Sequence, residues 1–119
     1  MTTIYGIKSC DTMKKAMTWL TNHNIDYTLF DYKKETISAE WLTQMLNEHG
    51  LALVMNKRGT TYRKLDEATK TLLSNESTPI SDIITILASN SSMIKRPILV
   101  HGERSIVGFK DTDYEAFFA

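Results

Sequence analysis

Residues 1–19 read MTTIYGIKSCDTMKKAMTW, and the change of rhythm inside this stretch decides the fold. Residues 3–6 carry β-branched and aromatic side chains and stop at a glycine, whereas residues 11–20 place apolar side chains at helical spacing. The stretch therefore predicts strand, tight loop, helix. The chain's only cysteine, Cys10, falls in that loop. A thiol just before the first turn of a helix meets unpaired backbone N–H groups and the positive end of the helix dipole, both of which favour the thiolate. Lys8 and Lys14, two before and four after it, would add positive potential, while Asp11 would oppose the anion. Ser9 or Asp11 is the expected helix cap. The competing reading of Cys10 is a small, inert core hydrophobe.

Working outward, residues 22–24 form a polar break and residues 26–32 (DYTLFDY) alternate as a second strand. Strand, helix and strand in about thirty residues is the size of a right-handed parallel crossover, so an open α/β sheet is expected. From Lys33 the pattern turns helical. Ser38 is a good N-cap for a helix that runs to Gly50, with Trp41, Leu42, Met45 and Leu46 as its apolar stripe. A short apolar run at 51–55 and a basic loop at 56–61 follow. Residues 62–73 read as one further helix, and Pro79 sits at the first position of another that presents Ile80, Ile83, Ile84 and Leu87 on one face. Residues 34–90 are thus expected to be a helical insertion.

The last third returns to strands. Residues 97–100 (PILV) and 104–109 flank a turn at His101, Gly102 and Glu103, which predicts a hairpin. Asp111 or Thr112 is the expected cap of a final helix through Phe117, with Tyr114, Phe117 and Phe118 pinning it to the sheet. The order strand, helix, strand, helical insertion, strand, strand, helix predicts a thioredoxin-like α/β fold: a mixed sheet flanked by helices, with the insertion between the second and third strands.

Composition bounds the function. With 119 residues and 42% hydrophobic content, one domain with a proper core is expected. Fourteen basic residues balance fourteen acidic ones, so no net charge holds nucleic acid or an anionic membrane. No apolar run approaches a membrane span, and residues 1–10 lack the apolar core of an export signal. One unpaired cysteine suits a reducing compartment, which gives a cytoplasmic expectation. His23, His49 and His101 lie in or beside predicted turns at no metal-ligand spacing, so no metal site is expected. Trp19, Trp41 and the methionines at helical spacing read as core.

The segments YGIKSCDTMKKAMTWL, NKRGTTYRKL, IKRPILV and VGF, with their spacing, span essentially the whole chain. In them it resembles the arsenate reductase family, in the branch of small glutathione-linked reductase-like proteins related to Spx-type regulators. The resemblance implies that Cys10 is the nucleophile, that Arg96 contacts an anion, and that Pro97 is a cis proline beside the reactive sulfur. It places a further arginine at Arg58, with the loop alignment open by two residues toward Asn56. Lys8, Arg58, Arg96 and Pro97 are accordingly the candidate substrate- and thiol-binding residues.

Three departures from the family pattern shape the expected chemistry. Gly6 stands where arsenate-reducing relatives have a histidine, Gly108, Phe109 and Lys110 occupy the region where they carry another arginine, and Met13 stands where an Spx-type switch has its second cysteine. Lysine lacks the planar fork that grips an oxyanion bidentately. These departures argue against specific arsenate reduction and against an internal disulfide. What is expected is monothiol chemistry: a Cys10 thiolate attacks a small disulfide or oxyanion, and an external thiol resolves the adduct. Glutathione is the expected co-substrate, no cofactor is bound, and glutaredoxin is a candidate partner. The alternative is an Spx-like adaptor that binds RNA polymerase without turnover. A degenerate member with neither role is the residual alternative.

Overall fold

The computed structural model describes residues 1–119, which divide into two compact units, Met1–Glu35 together with Lys95–Ala119, and Thr36–Ile94. The first unit holds a four-stranded sheet. Its strands are β1 (Thr2–Gly6), β2 (Thr28–Asp31), β3 (Ile98–His101) and β4 (Arg104–Val107), in the order β2-β1-β3-β4. β1 pairs parallel with β2 and antiparallel with β3, and β3 and β4 form the hairpin. Two helices, α1 (Asp11–Asn22) and α7 (Asp111–Phe117), complete the unit.

Both helices pack on one face of the sheet. Met13, Ala16, Trp19 and Leu20 of α1 are buried with Ile4 and Leu99, which pair across β1 and β3, and with Tyr114 and Phe117 of α7. Trp19 stands edge-on to Tyr114 at 5.4 Å and stacks with Phe118 at 5.7 Å, so the last helix is pinned as expected. Burial of side chains this large is worth about 1.5–3 kcal/mol each, which fixes the floor under the loop that leaves β1. At its far end α1 closes with Asn24 in the left-handed region (φ 58). The N–H of Ile25 bonds the carbonyl of Leu20, and that of Asn24 the carbonyl of Thr21. Asparagine here fills the role glycine plays in a Schellman turn.

The second unit is helical: α2 (Ala39–His49), α3 (Leu51–Val54), α4 (Thr60–Arg63), α5 (Glu67–Ser74), α6 (Ile80–Ser89) and a 3₁₀ turn at Ser91–Met93. Ser38 caps α2 through the N–H of Trp41, and Leu42, Met45 and Leu46 are buried as their spacing predicts. The predicted helix at 62–73 is in fact two. Asp66 accepts the N–H of Thr69 at 2.8 Å and starts α5 afresh, leaving α4 a single turn. An N-cap carboxylate inside a helical period overrides that period.

Smaller differences are also local. The apolar run at 51–55 winds into α3, because Gly50 at φ 81 lets the chain turn sharply out of α2. Pro79 is the N-cap residue of α6 and not its first helical residue. β2 and β4 are shorter than their alternating patterns, and Lys110, not Asp111 or Thr112, precedes the first turn of α7. No helix is long and apolar enough to cross a membrane.

Candidate active site

β1 delivers the chain at Gly6, and an exposed turn at Lys8–Ser9 carries it to the helix. The turn closes through the N–H of Cys10, which donates to the carbonyl of Ile7 at 3.2 Å. The helix then opens as the N–H of Lys14 donates to the carbonyl of Cys10 at 3.0 Å. Cys10 is therefore itself the N-cap residue of α1, with extended backbone (φ −80, ψ 133). Neither Ser9 nor Asp11 caps the helix, a correction to the sequence reading: the first turn starts one residue before a carboxylate at position 11 would allow. A cap oxygen normally accepts from the second or third helical N–H. Here those are the N–H groups of Thr12 and Met13, and what faces them is sulfur. The contacts are too loose to count as a side-chain cap hydrogen bond, yet they act on the thiol.

The half-buried thiol is subject to opposed effects. Burial, the largest single influence, raises its pKa; the N–H of Met13, a hydrogen bond from Arg96, the N–H of Thr12 and the charge of Arg96 lower it and together prevail. Cys10 is thus shifted toward the thiolate relative to an ordinary cysteine. The cation among these influences is Arg96, which acts both by a hydrogen bond and by its charge. Lys8 sits on the exposed turn, and Lys14 lines a shallow groove on the outer face of α1 with Lys15, Thr18 and Asn22.

Arg96 reaches the sulfur because β3 pairs with β1: Ile98 lies opposite Tyr5, so the segment entering β3 runs beside the loop leaving β1. The Arg96–Pro97 bond is cis, and the carbonyl of the buried Pro97 accepts the N–H of Gly108 at 2.8 Å. Arg58, by contrast, belongs to the helical unit. It is exposed; its N–H donates to Asn56 Oδ1, and its carbonyl accepts from Arg63.

The geometry around Gly6 and Tyr32 was not foreseen from sequence. A Cβ at position 6 would collide with Met13 Sδ, lie 2.8 Å from Met13 Cε and 3.1 Å from Arg96 Cβ. Met13, fully buried, thus fills the space that a histidine at position 6 would need. Tyr32, 4% exposed, donates its phenol hydrogen to the carbonyl of Lys95 at 3.2 Å. A glycine ending a strand next to a cysteine loop was the available signal for the first; the second joins residues 63 apart and left no local trace.

A parallel crossover followed by an antiparallel hairpin, with the chain's one cysteine where the first strand meets its helix, defines a thioredoxin-like protein. The ArsC family model matches residues 5–117, and the chain belongs to that family. It is similar to the solved structure named YFFB (PA3664) protein, with 45% identity, full coverage of both chains and a TM-score of 0.89. An uncharacterized protein of Haemophilus influenzae is 41% identical over 119 residues, again with both chains fully covered. The global transcriptional regulator Spx of Streptococcus pyogenes is 29% identical over the whole of this chain and 86% of its own length.

Proposed function

We propose that the protein is a glutathione-dependent monothiol reductase of the arsenate reductase family, acting in the cytoplasm. The observation that carries this reading is a single thiol at the N-cap of α1, drawn toward its anion by two helix amides and Arg96 in a chain with no second cysteine. The Cys10 thiolate attacks one sulfur of a small disulfide RS–SR′. A Cys10–SR bond forms, the S–S bond breaks, and R′S⁻ leaves with the electron pair. A glutathione thiolate then attacks the sulfur of R, forming a second disulfide and expelling Cys10 as thiolate. Arg96 holds a carboxylate of the substrate or the charge of the departing thiolate.

The test is the pH dependence of Cys10 alkylation, with mass analysis after incubation with oxidised glutathione. A thiol midpoint below the ordinary value of about 8.5, with one glutathione on Cys10, is the expected result. A midpoint at or above that value with no adduct overturns the reading. The match to Spx along the whole of this chain favours a second reading, a regulator that binds RNA polymerase without turnover. Co-purification with polymerase that survives Cys10→Ser would favour it.

A further inference from the structure

The Cys10–Arg96 pair is assembled from two segments far apart in the chain, and one buried residue bonds the roots of both. Tyr32 follows β2, and its N–H donates to the carbonyl of Gly6 at 2.8 Å, where the loop to Cys10 begins. Its phenol crosses to the carbonyl of Lys95, next to Arg96. The same residue therefore ties down the exit of β1 with its backbone and the entry to β3 with its side chain. Space here is tight: Arg96 Cβ would lie 3.1 Å from a Cβ on Gly6.

We propose that Tyr32 is a positioning residue for the site: by holding the Lys95 carbonyl, its hydroxyl fixes the backbone that carries the Arg96 guanidinium against the Cys10 sulfur. This rests on the monothiol reading above and names a group that reading does not use. The charge of Arg96 and the phenol of Tyr5 both act on Tyr32, burial being the main reason its hydroxyl stays protonated. Tyr5 in turn is held neutral by burial and by Glu35. The ionisable groups that face one another here are Cys10, Arg96, Tyr32, Tyr5 and Glu35. A neutral phenol that always carries its proton is suited to a permanent donor role.

The test is a cycle of Tyr32→Phe, Arg96→Met and the double variant, each read by the pH profile of Cys10 alkylation and by thermal midpoint. Tyr32→Phe keeps the ring and removes one donor. It is expected to raise the alkylation midpoint by about half a unit, roughly a threefold loss of thiolate at pH values below both midpoints. The double variant should titrate like Arg96→Met alone, because the tyrosine acts through the arginine. Tyr114→Phe, which removes a buried hydroxyl that has no partner, should leave the profile unmoved. An unchanged midpoint in Tyr32→Phe while Arg96→Met raises it, or additive shifts in the double variant, overturns the positioning role and leaves the reductase reading intact. A wild-type midpoint at the free-cysteine value removes both. In the wild-type protein the Arg96 Nη–H signals are expected as separate, resolved lines in nitrogen–proton correlation spectra, and their coalescence by free rotation of the guanidinium overturns the proposal even if Tyr32→Phe does not fold.

Discussion

The N-terminus of α1 and those of α2 and α5 solve the same problem with different atoms. At α2 the Ser38 hydroxyl accepts the N–H of Trp41, and at α5 the Asp66 carboxylate accepts the N–H of Thr69. Each is an oxygen on a third-position amide, and each starts its helix. At α1 the same position holds Cys10, whose sulfur makes no such bond although the amides of Thr12 and Met13 face it. Two caps serve stability. The third leaves its amides directed at a group that gains from them only when it is an anion. What distinguishes these helix starts is therefore not the helix but the atom placed at its head, and the cation brought to that atom.

The largest effect is expected from converting one kind of cap into the other. Cys10→Ser should abolish adduct formation with oxidised glutathione altogether, seen by mass analysis. Urea denaturation should meanwhile show stability held or raised by up to about 1 kcal/mol, because serine is a favoured cap. Loss of activity together with unfolding would mean that the cysteine is part of the core and not of a site. Next comes the cation. Arg96→Met removes a hydrogen bond and a charge that lower the thiol, so iodoacetamide alkylation at pH 7 should slow roughly tenfold as the midpoint moves up by about one unit. A thiol whose folded pKa is lowered adds stability that is complete above the free-cysteine pKa and is lost as pH falls through the folded value. The stability of wild type relative to Cys10→Ser should therefore rise with pH between those two values, and flatten in Arg96→Met.

How much of this contrast the sequence disclosed depends on how far apart the partners lie in it. Strand, loop and helix around Cys10 are local patterns, and so are the Ser38 cap and the hairpin at Gly102; each stands in the structure. The crossover and the hairpin together prescribe which strands neighbour one another, so the sheet was legible as well. Arg96 and Pro97 entered through family resemblance alone, because nothing near them points to residue 10. Asp66 was hidden by an apolar period that runs straight through it, although an acidic residue three before Thr69 was a usable sign of a cap. Tyr32 reads simply as a strand residue until the Lys95 carbonyl is placed opposite its hydroxyl.

A substitution at Gly6 probes the packing beneath the cysteine cap. Gly6→Ala places a methyl group against Met13 and Arg96, and overpacking of this kind costs about 1–3 kcal/mol. Met13→Ala opens the space but deletes a fully buried side chain, at about 2–5 kcal/mol. If position 6 is small because Met13 occupies its volume, the double variant should lose less stability than the sum of the two, measured by urea denaturation. Strict additivity would show that the two sites do not share that space.

The smallest effects sharpen the oxygen caps themselves. Ser38→Ala should cost about 1 kcal/mol with little dependence on pH below neutrality, since a hydroxyl does not titrate there. Asp66→Ala should behave differently, because its carboxylate is held below its usual pKa by the Thr69 side chain and N–H. A carboxyl with a lowered folded pKa contributes stability that is complete above the unfolded value, about 3.9 for aspartate, and is lost as pH falls through the folded one. The gap between wild type and Asp66→Ala should therefore be constant from neutral pH to about pH 5 and close below about pH 4, while the Ser38→Ala gap persists. Screening at this exposed site limits its size. Parallel pH profiles for the two variants would mean that Asp66 caps α5 as a neutral acceptor and that its charge contributes nothing at that helix start.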